Sequence, residues 1–184
     1  MNKINLNDLS SSDAKIKYAC AKQAIAISKG NPSELYTDFD FFTELLDSQN
    51  NILKWTAIQV IGNLSQVDKK KQVDTLLPRI IDFLKLEKLI TANNAILALA
   101  EIAHNKPEYL DRITKELLKV EHYKFETLEC NNIVVGKVLL FLDRFTAQVK
   151  DKKEVRAFIK RQITNPRNAT KKKAQLLLKK ITKI

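Results

Sequence analysis

The stretch AIQVIGNL, residues 57–64, has four counterparts elsewhere in the same chain that align with it without gaps. They are AKQAIAIS (21–28), AILALAEI (95–102), GKVLLFLD (136–143) and AQLLLKKI (174–181), at spacings of 36, 38, 41 and 38 residues. The first position is always Ala or Gly: Ala21, Ala57, Ala95, Gly136 and Ala174. The fourth is Ala24, Val60, Ala98, Leu139 and Leu177, and the fifth is aliphatic throughout: Ile25, Ile61, Leu99, Leu140 and Leu178. Positions one, four, five and eight share one face of a 3.6-residue helix, so the octapeptide reads as the buried stripe of a recurring helix. A small first residue lets a neighbouring helix approach closely.

An amphipathic segment precedes four of the five: FDFFTELLDS (39–48), VDTLLPRIIDFLK (73–85), PEYLDRITKELLKV (107–120) and KKEVRAFIKRQI (152–163). The repeating unit is therefore a helical hairpin, and the expected units are residues 1–29, 33–66, 68–104, 107–147 and 151–184 of a single domain. Asn and Ser cluster between the two helices, as in SQNN (48–51) and TANN (91–94), where their side chains can cap a starting helix. The second helices are expected to begin near Ser12, Asn50, Asn93, Asn131 and Asn168. The first unit has no long partner helix, so residues 2–10 are expected to form a short turn of helix over an open end.

Two stretches carry a resemblance to a known family. TLLPRIIDFL (75–84) holds a proline inside a first helix, and LKWTAIQVIGNL (53–64) places Lys54, Ala57, Ile61 and Gly62 where HEAT repeats carry Arg, Ala, Leu and Gly. The chain thus resembles HEAT-repeat proteins of the armadillo-like superfamily over roughly residues 13–182. That resemblance implies an all-α fold, an α-α superhelix of about five hairpins with the first incomplete. It further implies a short right-handed solenoid whose second helices line the concave side. The family's Asp/Arg ladder is mostly missing, its Arg position reading Tyr18, Lys54, Ala92, Ile133 and Lys171.

Composition agrees with hairpins. Three glycines and four prolines in 184 residues are too few turn-formers for an all-β chain, and 45% apolar residues suffice for a core. No apolar run reaches the ~18 residues of a membrane span, and MNKINLNDLSSSD has no apolar signal core. A soluble cytoplasmic protein without membrane contact is the expectation. Cys20 and Cys130 lack metal-ligand or redox spacing and read as free thiols in a reducing compartment.

Catalysis needs convergent groups, and the candidates are sparse. His104 and His122 stand 18 residues apart, and His104 suits a helix C-terminus. Cys130 precedes a helix, a place that can activate a thiol, but burial as a small apolar residue is the favoured reading. No glycine-rich phosphate loop or nucleophile elbow occurs. Metal-binding oxygenases built from HEAT-like repeats share His-Glu dipeptides, which are absent here. Neither catalytic residues, a metal site nor a cofactor is expected.

Charge is the strongest departure from randomness. Residues 1–149 hold 19 basic and 19 acidic residues, whereas residues 150–184 hold 13 basic residues against Asp151 and Glu154 alone. The whole net charge of +11 therefore sits in the last 35 residues. Lys153, Arg156 and Lys160 recur at helical spacing as one stripe, and Lys172, Lys179 and Lys183 as another, with Arg167 between. NPRNATKKKAQLLLKKI (165–181) even places Lys171, Lys172 and Lys173 in a first helical turn, where the macrodipole disfavours cations. A terminal repeat needs a polar outer face, but Glu would serve that purpose equally.

A non-enzymatic adaptor or scaffold follows as the first expectation. It would bind a protein through the concave face, at Trp55, Gln59, Asn63, Asn94 and Glu101, and through the basic end, at Arg156, Lys160, Arg167, Lys171, Lys172, Lys173 and Lys179. A nucleic-acid-binding protein using residues 150–184 is the second expectation, although Phe158 is the only aromatic in that segment. An enzyme of the HEAT-like superfamily, a lyase or DNA glycosylase, is the third. The aromatic, acidic and arginine cluster of those glycosylases does not assemble around Trp55, whose repeat equivalents are Ala19, Asn93, Val134 and Lys172.

Overall fold

A computed structural model describes residues 4–181, and Lys183 of the second lysine stripe lies outside them. Among the described residues there are helices and turns and no strand. The helices are α1 (Ala14–Gly30), α2 (Phe39–Leu45), α3 (Asn51–Leu64), α4 (Gln72–Asp82), α5 (Leu89–Asn105), α6 (Leu110–Leu118), α7 (Leu128–Phe145), α8 (Lys152–Gln162) and α9 (Asn168–Ile181). The N-terminal segment is the short 3₁₀ turn Leu6–Ser10. Pro78 lies inside α4.

The chain forms two compact units, Met1–Ile80 with Leu97–Lys106, and Ile81–Ile96 with Pro107–Ile184. In the first, α1 and α2 both pack on α3, and α3 buries Ala57, Ile58, Val60, Ile61, Gly62 and Leu64. Gly62 lies so close to the first unit's part of α5 that an added Cβ would stand 2.6 Å from Ala98 Cα. The unit's loops are tied by a buried polar network. Tyr36 donates to Asp68 Oδ1 at 2.7 Å, and the Asp68 carboxylate also accepts the Gln72 and Val73 amides, both at 2.9 Å. Lys106 Nζ lies 2.9 Å from Asp68 Oδ2 and also pairs with Asp74. Asp68 thus fills the capping role at the start of α4, where negative charge meets the positive end of the helix dipole.

In the second unit α9 packs on both α7 and α8. Thr170 Oγ1 donates to Asn132 O at 2.8 Å and stands against Gly136, the small first position of the fourth octapeptide. Phe158 of α8 is fully buried. Removing such a ring from water contributes about 2–3 kcal/mol.

All five first positions are buried: Ala21, Ala57, Ala95, Gly136 and Ala174. So are all five fourth positions. The fifth position departs from the reading, since Ile25 and Leu178 are half-buried and Leu140 is 47% exposed. The buried arc of α7 runs through Val135, Val138, Leu139 and Leu142, and Leu140 falls outside it.

Helix starts divide likewise. Asn50 caps α3, accepting from the Ile52 and Leu53 amides, but the cap of α1 is Asp13 rather than Ser12. Two starts are corrected by a full turn. α5 begins at Leu89, so Asn93 lies inside it, with its buried Oδ1 lacking a hydrogen-bond partner. α7 begins at Leu128 under a Thr127 cap, and Asn131 instead braces the preceding loop by bonding Tyr123 O and the Phe125 amide. Asn168 is the first residue of α9 rather than its cap.

Candidate anion-binding surface of the C-terminal hairpin

Asp151 starts α8 by accepting the Glu154 amide at 3.0 Å, which fixes the helix phase. Val155, Phe158, Ile159 and Gln162 turn inward. The remaining charges then sort onto two sides. Arg161 faces Glu121, with Nη2–Oε1 at 2.6 Å and Nε 3.1 Å from both carboxylate oxygens. That side is a groove of mixed charge, which also includes Asp111, Lys150 and Glu154.

The charged side chains described on the other side are all basic. Lys152, Lys153, Arg156 and Lys160 line a groove of about 510 Å³ with Thr146, Ala147, Ala157 and Ile181, and among the described residues no carboxylate lines it. Residues 152, 156 and 160 recur every four positions, so their Cα atoms rise along α8 by about 6 Å each. All four cations are exposed.

On α9 the buried residues Thr170, Ala174 and Leu177 set the phase. Lys171, Lys172 and Lys179 are exposed, whereas Lys173 is half-buried. Burial pushes the Lys173 ammonium below its ordinary value, and the neighbouring charges of Lys137 and Arg167 push it the same way. Arg167 itself pairs with Glu129 of α7 at 2.7 Å, and Lys180 pairs with Asp143 at 2.6 Å. The same two second helices expose apolar side chains, Leu140 at 47% and Leu176 at 69%.

The seven basic residues singled out from sequence therefore fall into three sets. Arg156 and Lys160 belong to the α8 groove, Arg167 and Lys173 to the α7–α9 seam, and Lys171, Lys172 and Lys179 to the exposed side of α9. Sequence reasoning missed Lys152 and Lys137. Lys152 stands one turn before Arg156 on the same stripe, and Lys137 stands 36 residues before Lys173, close to one repeat.

The residues assigned to a concave face are more enclosed than a binding role suggests. Trp55, Gln59, Asn63 and Glu101 are half-buried. Asn63 Nδ2 donates to Ser28 Oγ at 2.9 Å, bridging α3 and α1. Asn94 is buried, and its amide donates to Ile90 O one turn back.

Elsewhere, His104 is exposed in the last turn of α5, and exposed His122 Nε2 stands 3.8 Å from Glu121. Cys20 is buried and donates to Asn5 O at 3.4 Å, and burial with the nearby Asp8 charge pushes its thiol up, away from reactivity. Cys130 is half-buried beside Thr127. Among the described residues no group of three His, Cys, Asp or Glu side chains could hold a metal ion, and no helix is long and apolar enough to cross a membrane.

No protein-family model and no curated protein sequence matches the chain. Among solved structures, two crystal structures of engineered proteins from the Northeast Structural Genomics Consortium align over 100% of this chain and 98% and 100% of their own. Each is 15% identical, with a TM-score of 0.52. A designed armadillo repeat protein aligns over 94% of this chain and 96% of its own, at 13% identity and a TM-score of 0.42. The two engineered proteins share this chain's fold, and helical hairpins repeated in tandem put it in the all-α, α-α superhelix class.

Proposed function

We propose that the chain is a non-enzymatic adaptor that captures an acidic protein partner through its C-terminal hairpin. The observation that carries this reading is the row of exposed cations Lys152, Lys153, Arg156 and Lys160 along one side of α8. Like charges held on one face repel one another, and an anionic partner relieves that repulsion. A protein is favoured over nucleic acid because the neighbouring helices α7 and α9 expose Leu140 and Leu176, while the one aromatic of residues 150–184, Phe158, is fully buried and cannot stack on a base. The half-buried second-helix residues Trp55, Gln59, Asn63 and Glu101 act in this reading as packing residues rather than as the first point of contact.

Fluorescence titration of the full chain with labelled polyglutamate and with a short DNA duplex, at equal charge and low salt, tests the reading. Tighter binding of polyglutamate is the expected result. Tighter binding of the duplex would replace the adaptor by a nucleic-acid-binding protein. Binding of neither would reduce the basic hairpin to a solvated cap and remove the proposal.

A further inference from the structure

We infer that the α8 groove is a seat for an extended acidic peptide segment with carboxylates at alternate positions. This rests on the adaptor reading and deepens it by naming the form of the partner. The groove has two unlike walls. Lys152, Lys153, Arg156 and Lys160 present positive charge from α8, and Thr146, Ala147 and Ile181 present mostly apolar atoms from the end of the α7 hairpin and of α9.

An extended chain projects successive side chains to opposite sides, so a sequence that alternates acidic and small apolar residues offers each wall its complement. The spacing agrees. Alternate side chains of a strand lie about 6.6 Å apart, and residues 152, 156 and 160 advance by about 6 Å per step, so three carboxylates keep register with three cations. Nucleic acid has phosphates to offer the basic wall, but no aromatic ring lines the groove to receive its bases.

Four probes decide the matter by fluorescence anisotropy on the full chain: an alternating Glu-Val peptide, a peptide of the same composition with its Glu residues in one block, a helix-forming peptide with Glu at every fourth position, and oligothymidylate. The alternating peptide should bind about tenfold tighter than the block peptide, the sum of three exposed ion pairs kept in register. Lys152→Gln/Arg156→Gln/Lys160→Gln should erase that advantage, and Lys171→Gln/Lys172→Gln/Lys179→Gln should leave it in place. All six positions are exposed, so both variants should fold, with circular dichroism as the check. Equal binding of block and alternating peptides, preference for the helical peptide or the oligonucleotide, or an undiminished groove variant would each overturn the inference. If polyglutamate still binds in those cases, the adaptor reading stands without this groove.

Discussion

Gly62 is a position where one methyl group decides whether two helix segments can meet. A Cβ there would press on the Ala98 backbone at 2.6 Å, and backbone in mid-helix cannot step aside. Gly62→Ala should therefore destabilise by about 1–3 kcal/mol in urea unfolding, although alanine is the better helix former. At Gly136 the added methyl meets only Thr170 Oγ1, at 2.8 Å, so Gly136→Ala should cost less and trade on the hydrogen bond to Asn132 O. A larger loss at Gly136 than at Gly62 would reverse the assignment of which contact is rigid. The Asp68–Lys106 pair makes a second test at this scale. Burial opposes ionisation of Asp68, but the Tyr36 hydroxyl, Lys106 and the Val73 and Gln72 amides outweigh it and hold the carboxyl below its ordinary value. Burial likewise opposes the Lys106 charge, and Asp74 and Asp68 outweigh it and raise that ammonium. The Asp68 contribution is present above its unfolded value of about 3.9 and lost as pH falls through the lower folded one; the Lys106 contribution is present below about 10.4 and lost as pH rises through its raised one. Stability should be flat between those limits as far as this pair is concerned. Asp68→Asn should cost about 3 kcal/mol at neutral pH and remove part of the acid-side fall, as followed by thermal unfolding against pH.

At the scale of elements, the octapeptide repeat was legible because its first and fourth positions are buried in every copy, and a close-packed interior tolerates little variation in size. Helix starts were less legible. Asn is a good cap, yet it is tolerated within a helix when its amide bonds back to the preceding turn, as Asn94 does to Ile90 O, and two adjacent asparagines in TANN look like a boundary that is not there. The cost of that placement can be measured. Asn93 leaves a buried oxygen unpartnered inside α5, so Asn93→Ala should stabilise by about 0.5–1 kcal/mol through propensity and relief of the orphan group. Thr127→Ala, which removes the true cap of α7, should destabilise by about 1 kcal/mol. Chemical denaturation of the two variants side by side would show opposite signs, and a loss at Asn93 would restore it as a capping residue. The fifth position failed at Leu140 because one residue is a 100° step on a helix, enough to carry a side chain from the buried arc to the exposed face.

For the whole molecule, the charge imbalance was legible as a count, but a count has no geometry. Helical spacing joined Arg156 to Lys160, yet the sequence alone could not tell that Arg167 and Lys180 already have carboxylate partners on α7, in Glu129 and Asp143. Nor could it tell that the basic and mixed sides of α8 are separate grooves. Those pairings bear directly on the salt dependence of polyanion binding. Only cations that exchange small ions for phosphates contribute to the slope, and partnered ones contribute less because their counterion is already part of the fold. With Lys152, Lys153 and Lys160 engaged and Arg156 contributing in part, duplex DNA used as a probe should give a slope of log affinity against log salt of about −3. Replacing Lys152, Lys153, Arg156 and Lys160 with Gln should abolish about three units of that slope. Replacing Lys171, Lys172 and Lys179 should change it by no more than about one, although the charge removed is nearly the same. Equal losses from the two variants would mean that the polyanion reads the net charge of the hairpin and not the groove, and the placement of the contact on α8 would have to be given up.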